Sequence, residues 1–512
     1  MSSVPRSGEA SMAADAHAAH APQEASGRGV GRGDAARSAL WSMAENGGLT
    51  LVSFLTLIVL ARFLSPSDFG LFSIVLAAVE LLSVCVGMLF HDALIQRDQI
   101  TERHVDTAFT VTVVLGLALF GACWALGPWF SALVGDPVAG RVLGWTALAL
   151  PFAGISATIA AQQRRELRFR VLAVRSLVGR VSGAALGMLL AFLGLGYWSL
   201  AGQHVLIAAV GALALWLAAP RTPQFRFGSR EAVDLLGFGL KSLAGLVLGF
   251  ALKRVFTIVA GVSLGTSAAG YLNMSFRLVD VVWSVSAVAV TQVALPVLSR
   301  MQNQPERLRS AFGSASEMIG IVFFALFVGI AITAPELVEL LLGQRWAPIA
   351  PYVTLLALLV FAQTPRTLIV PVLKATGWPG WALVGTAAQA IVIAALIAIF
   401  GVPTVGSAIA IWMLGELIAW PVMAQSLKAK AGIGFVDQMR SLMTPALAAA
   451  AMMIAAFAVR HSLDVDLPAL VRLVVIGGTG ATVFLGALAL LDRRAIERLW
   501  SFFRSAASAR TA

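Results

Sequence analysis

The sequence predicts an all-α polytopic membrane protein with about fourteen transmembrane helices, and three observations carry that expectation. Hydrophobic residues make up 59% of the 512 and charged residues only 12%, where a soluble globular protein has about 25% charged. The mean hydropathy is +0.85, which calls for a solvent other than water around most of the surface. Apolar runs long enough to cross a bilayer recur from Leu49 to Leu491. Fourteen spans of about 20 residues use roughly 280 residues and leave short loops and two tails, so no loop is long enough to be a domain.

Residues 1–37 are rich in Ala, Gly and Ser and lack a continuous apolar stretch, so they read as a disordered cytoplasmic tail rather than a signal peptide. Spans are then expected at 38–63, 70–95, 106–134, 140–162, 171–194 and 196–219, an N-terminal six-helix bundle over 38–220. A polar, basic linker at 221–235, with Pro223 and Gly228, divides the chain. A second six-helix bundle over 236–430 holds spans 236–260, 270–299, 310–333, 349–373, 379–401 and 405–427. An additional helix pair at 431–495, with spans 437–459 and 468–491, precedes a basic cytoplasmic tail at 496–512. No convincing residue-level repeat relates the bundles, so pseudo-symmetry rests on helix count alone. Pro151, Pro296, Pro365 and Pro371 fall in or near span ends, where they bend helices. Trp129, Trp198, Trp346, Trp378 and Trp500 lie near predicted ends and suggest an aromatic belt.

With the N-terminus inside, 27 of the 37 lysines and arginines fall in the tails and inner loops. The outer loops hold Arg62, Arg141, Arg345, Arg460 and Arg472, and Arg180, Lys253, Arg254, Arg277 and Arg366 are embedded in spans. The positive-inside rule then places both termini in the cytoplasm. Topology and anionic lipid account for the net charge of +11 and for basic loops such as Arg164, Arg165, Arg168, Arg170 and Arg175, so no nucleic-acid partner is needed. Cys85 and Cys123 both lie in apolar runs, so no disulfide framework, metal site or other cofactor is expected.

The eighth span carries Asn273, Arg277, Asp280, Ser284 and Thr291 at offsets that place all five on one helical face. A charged residue at mid-bilayer costs about 2.5–3.5 kcal/mol on insertion scales, so such a stripe faces a bundle interior or a wet cavity. Ser242, Gly245, Gly249, Lys253 and Thr257 repeat the pattern on the seventh span. The loop 261–269 is short, so the two helices are antiparallel neighbours, with Lys253 and Arg277 about 12 Å below their ends at one level. Two cations at one depth suggest an anion site. The plainer alternative pairs Arg277 with Asp280 at i, i+3 and lets Lys253 snorkel outward; snorkelling is the favoured reading for Arg254.

Glu45 and Asn46 share a face with Ser42, Ser53 and Thr56, and Glu80 shares one with Ser73, Gly87 and His91. Carboxylates in a low-dielectric site can carry protons, which makes Glu45, Glu80, Glu317 and Glu416 candidates for coupling transport to a proton gradient. The plainer reading has each bonding a neighbouring Ser, Thr or backbone group. His204, after Gln203, reads as a hydrogen-bonded interior residue.

No GxxxxGK[ST], HExxH or GxSxG occurs, and outer loops of about ten residues leave no place for the acidic or His residues of a membrane polymerase or ligase. Transport, not enzymatic catalysis, is the default expectation.

Four segments make the chain recognisable. Leu60 to Ile74 reads LARFLSPSDFGLFSI, in which Ser65 is expected to cap the next helix, Pro66 to take its first position and Asp68 to complete a capping box. The others are ALIQRDQIT (93–101), LPVLSRMQNQPERLR (295–309) and APELVELLLGQRWAPIAP (334–351). Together they resemble the Wzx-type polysaccharide flippases of the multidrug/oligosaccharidyl-lipid/polysaccharide exporter superfamily, especially the colanic-acid and teichuronic-acid exporter branch. The resemblance runs from about residue 40 to 430.

It implies a bacterial inner-membrane flippase for undecaprenyl-pyrophosphate-linked oligosaccharide, acting in surface polysaccharide synthesis by alternating access. It also implies two six-helix lobes around a central cationic cavity, and glycosyltransferases and a polymerase of the same pathway as partners besides membrane lipids. In that setting Lys253, Arg277, Asn273, Asp280 and Arg366 are the expected pyrophosphate and sugar contacts; the family supplies no invariant motif, so these choices come from the stripes. The alternatives are a cation-coupled drug or metabolite antiporter of the same superfamily, a lipid II flippase, and a polysaccharide polymerase or ligase.

Overall fold

The computed structural model describes residues 32–97, 99–299, 301, 304–463 and 467–493, and within them leaves aside the side chains at 32–47, 238, 240–248, 287–299, 379 and 382. Among the described residues the chain is helical throughout, without a strand. The helices are α1 (Arg32–Phe63), α2 (Pro66–Met88), α3 (His91–Gln96), α4 (Glu102–Ala125), α5 (Gly127–Val134), α6 (Ala139–Thr146), α7 (Ala149–Arg165), α8 (Phe169–Phe192) and α9 (Tyr197–Ala218). They continue as α10 (Ser229–Leu264), α11 (Thr266–Ser299), α12 (Pro305–Leu342), α13 (Ala350–Leu358), α14 (Val360–Ala375), α15 (Ala382–Phe400), α16 (Val405–Ala431), α17 (Phe435–Ser462) and α18 (Ala469–Leu491), with 3-10 turns at Gln344–Ile349 and Pro379–Trp381.

Each expected span coincides with a helix or a broken helix. Ten described helical segments are long and apolar enough to cross a membrane, eleven if the bent pair Gln344–Leu358 and Val360–Ala375 is one span. That pair bends by 44°, shortly before Pro365, whose ring crowds the carbonyl of residue 361 and cannot donate to it. Trp500 lies outside the description, as do the side chains of Glu45, Ser242, Thr291 and Pro296. Several boundaries move, and α12 runs on to Leu342, past the expected 333. α10 begins at Ser229, inside the expected linker, and α1 begins at Arg32, inside the expected tail.

The α1–α2 turn shows why this segment folds as it does. Ser65 Oγ accepts from Asp68 N at 3.2 Å while Asp68 Oδ2 accepts from Ser65 N at 2.9 Å, and Pro66 sits in the first turn, the reciprocal cap the sequence predicts. Asp68 has a second task. Its Oδ1 accepts from Tyr197 N at 3.2 Å, tying the start of α9 to the start of α2.

In lipid, helices associate through close packing and polar contacts rather than exclusion from water, so small residues decide where backbones meet. α2 packs against both α10 and α11. At their meeting point a Cβ on Gly70 would overlap the Thr266 carbonyl, and one on Gly270 would overlap the Pro66 carbonyl. α1 lies on α8, α8 on α9, α4 on α7, and α16 on α15 and α14. The final pair, α17 and α18, packs on α12. Arg460 donates to Glu336 at 2.6 Å and Arg472 to Glu339 at 2.9 Å, which fastens the pair to α12 through charge.

The two ends of the bundle differ. One end holds the α1–α2 and α10–α11 turns and the 3-10 turn after α12. The other gathers arginines: Arg97 pairs with Asp234 at 2.7 Å, Arg103 with Glu231 at 3.5 Å, and Arg221 with the buried Asp106 at 2.9 Å. The Asp106 bond raises the Arg221 pKa above its usual value.

Candidate functional site

α10 and α11 are joined by the single residue Gly265, whose φ of +81° favours glycine. Lys253 lies eleven residues before the end of α10 and Arg277 eleven after the start of α11. At 1.5 Å per residue both are about 17 Å below the helix ends, deeper than the sequence suggested because both helices run further into the loop. They remain at one level, near the middle of a hydrocarbon layer of about 30 Å.

Both cations line a chamber of about 280 Å³. α2 contributes Glu80, α8 contributes Arg180, and α9 contributes Gln203 and His204; α10 adds Lys253, Arg254 and Thr257, and α11 adds Asn273, Arg277 and Asp280. Four basic side chains thus face two acidic ones. Lys253 is held by Asp280 and lies over the Phe276 ring at 4.6 Å. Arg254 approaches Glu80 at 2.6 Å without hydrogen-bond alignment. Arg180 and Arg277 have no carboxylate within ion-pair distance among the described residues, and the buried Arg180 Nε has no hydrogen-bond acceptor. Two embedded guanidiniums without a direct ion pair are costly and complementary to an anion that brings its own charge.

Several sequence readings are corrected here. Arg277 does not pair with Asp280, which is engaged by Lys253 on the neighbouring helix. Arg254 does not snorkel away; it turns into the chamber because Glu80 on α2 faces it. Arg180, Arg254, Gln203 and His204 line the chamber although they lie off the two polar stripes. The signal available for Arg180 was its position inside an apolar span. His204 lines the chamber with no hydrogen-bond partner among the described residues.

A second chamber of about 310 Å³ shares the Lys253, Phe276 and Asp280 wall with the first. Arg366 on α14 pairs there with Glu416 on α16, both substantially buried. Glu416 is therefore an ion-paired residue rather than a lone carboxylate. Gln363, Thr386, Gln389, Trp283 and Trp412 also line it, with apolar walls from residues such as Leu252, Val279, Leu356 and Leu359. Glu317, on α12, lines neither chamber. The face expected to run from Asn273 to Thr291 thus delivers Asn273, Arg277 and Asp280 to the chambers, while Ser284 bonds back to the Val281 carbonyl at 2.8 Å.

The first chamber is closed at the α1–α2 turn. Trp346, expected in an interfacial belt, is 0% exposed. It packs edge-on to Phe69 and Tyr271, and its Nε1 donates to Ala61 O at 2.8 Å. Arg62 donates to Leu340 O at 2.8 Å beside it. The first and last of the four recognisable segments therefore pack against each other.

Residues 59–351 match the model of a family described as polysaccharide biosynthesis protein. The succinoglycan biosynthesis transport protein ExoT of Rhizobium meliloti (strain 1021) is 27% identical over 68% of this chain and 71% of its own. The lipopolysaccharide biosynthesis protein WzxC of Escherichia coli (strain K12) is 22% identical over 62% and 65%. The teichuronic acid biosynthesis protein TuaB of Bacillus subtilis (strain 168) is 22% identical over 62% and 67%. In fold, the chain resembles the inward closed conformation of the lipid II flippase MurJ, with a TM-score of 0.75 over 90% of this chain and all of that one, at 13% identity.

Proposed function

The chain belongs to the polysaccharide biosynthesis protein family whose model it matches over more than half its length, and on that premise we propose that it is a flippase for polyprenyl-pyrophosphate-linked oligosaccharide. The observation that carries the reading is the first chamber, where four cations face two carboxylates halfway along the helices. A pyrophosphate cannot enter hydrocarbon unneutralised. Arg180 and Arg277 are positioned to accept its charge, and Lys253 and Arg254 can exchange Asp280 and Glu80 for phosphate oxygens. The prenyl chain stays in lipid.

Alternating access follows if a lobe of α1–α9 and a lobe of α10–α16 rock about the α2–α10–α11 contact. The arginine-rich end is then cytoplasmic, as are both termini, in a bacterial inner membrane. The Trp346 seal is the periplasmic gate, and the state described is closed there. Glu80 is the best-placed proton carrier, since release from Arg254 leaves its carboxylate free inside the chamber. Glycosyltransferases and a polymerase of the same pathway would supply and consume the substrate.

The test is complementation of a deletion strain. Arg180→Gln together with Arg277→Gln should abolish surface polysaccharide while the protein remains at wild-type level in the membrane; normal polymer would reject this site. The antiporter reading draws on a likeness to a multidrug MATE transporter with a TM-score of 0.56 at 16% identity, which shows fold alone. The surplus of cations opposes the cationic substrates that such an antiporter would carry.

A further inference from the structure

We infer that the second chamber is a saccharide subsite, which binds an uncharged sugar ring of the substrate while the first chamber holds the pyrophosphate. The inference rests on the proposed function and assigns the two chambers different parts of one molecule. Their charge differs. The first carries a surplus of two cations, whereas in the second Lys253 is balanced by Asp280 and Arg366 by Glu416. A chamber without net charge has little to offer a second phosphate and suits a neutral polar guest.

The lining matches a pyranose. Sugars present a C–H face that packs on aromatic rings and a rim of hydroxyls that both donate and accept. Trp412 is fixed by Phe256 and Phe276, with ring centroids 5.1 Å and 5.4 Å away, and Trp283 by Phe323 and Phe327 at 5.2 Å and 5.5 Å. Such rigid rings offer apolar area at little entropic cost. Gln363, Thr386 and Gln389 supply the donors and acceptors. The volume of about 310 Å³ lies at the small end of the range for ligand sites.

Gln389 is the decisive residue. It is only 4% exposed, yet its Nε2 has no hydrogen-bond partner among the described residues. A buried amide donor left unpaired is unfavourable unless something enters to accept from it. Its stem is held in place from behind, since a Cβ on Gly415 would touch Gln389 Cγ at 3.3 Å. The stem is therefore fixed, and among the described residues no side chain accepts from the amide.

The test uses purified full-length protein and two probes, geranylgeranyl pyrophosphate and geranylgeranyl-pyrophosphoryl-glucose, with galactose as a second sugar. Wild-type protein should bind one or both sugar-bearing probes more tightly than the sugar-free one. Gln389→Leu, and independently Thr386→Val, should cut that ratio about tenfold, the worth of one buried hydrogen bond. Arg277→Gln should weaken all probes alike. Monodisperse elution and an unchanged melting temperature confirm that the variants fold. A wild-type ratio of one, or a ratio that survives both substitutions, overturns the saccharide subsite and leaves the pyrophosphate site standing. Failure of wild-type protein to bind any probe overturns the proposed function and this subsite with it.

Discussion

The indole N–H of Trp346 donates to the carbonyl oxygen of Ala61 at 2.8 Å across 285 residues of sequence. That carbonyl lies in the last turn of α1, where intrahelical donors run out. The bond therefore satisfies a helix end and locks two distant parts of the chain together. Arg62 and Arg345 repeat the device on Leu340 O and Leu64 O, so the closure consists of side-chain donors capping helix-terminal carbonyls. Under the proposed alternating access such bonds would be exchanged for water on opening, which a purely apolar seal would resist.

Opening of this gate should be measurable. Trp346→Phe keeps most of the ring but removes the donor, leaving the Ala61 carbonyl unpaired at a cost of about 1–3 kcal/mol. A single reporter cysteine at Thr257, with Cys85 and Cys123 replaced by alanine, should react with an impermeant maleimide from the periplasmic side at least several-fold faster in the variant. Equal labelling rates would show that the tryptophan does not hold the gate.

The backbone contact beneath the seal is more demanding. Gly70 and Gly270 approach so closely that a methyl group on either meets main-chain atoms, and main chain cannot rotate aside. Gly70→Ala should lower stability by about 1–3 kcal/mol and Gly270→Ala by a similar amount, read as a drop in melting temperature in detergent. Because the same pair of helices is forced apart, the double variant should cost less than the sum of the two. Additive losses would mean that the glycines act separately.

The sequence made much of this readable. Embedded charges and a short loop were enough to put Lys253 and Arg277 at one depth, and the Ser65–Asp68 cap followed from local chemistry. Pairing across helices was not readable, because helical period says which residues share a face but not which helix that face meets. Hence the sequence leaves Asp280 open to Arg277 on its own helix, whereas Lys253 on the neighbouring helix takes it, and it gives no sign of the Glu80 that draws Arg254 inward. Trp346 departs from the expected belt for the same reason. Position near a span end is shared by interfacial and gate tryptophans, and only the facing partners, Phe69, Tyr271 and Ala61, distinguish them.

The Arg366–Glu416 pair allows a separate check on how charge is carried in the second chamber. Glu416 is only 7% exposed, so removing either partner leaves a buried charge alone. Arg366→Met or Glu416→Leu should each destabilise the protein by about 3–5 kcal/mol, whereas the double substitution should recover most of the loss. Thermal unfolding of the three variants decides it. If the double variant is as unstable as the worse single one, the pair matters through packing rather than charge.

The last prediction concerns the final helix pair. Glu336 is buried on α12 and meets Arg460 at 2.6 Å and Arg472 at 4.0 Å, while Glu339 meets Arg472 at 2.9 Å. Arg460 also donates to Ile332 O at 2.8 Å, so α17 is tied to the backbone of α12 as well as to its side chain. Glu336→Gln keeps the shape and an acceptor but removes the charge that two arginines share, and should loosen α17 and α18 from α12 without disturbing α1–α11. Hydrogen exchange should quicken in 450–491 by about tenfold, the equivalent of about 1.4 kcal/mol, and stay unchanged in α2 and α10. Faster exchange throughout the molecule would instead mean that the pair is integral to the transport bundle, and that α12 cannot be separated from it as a rigid support.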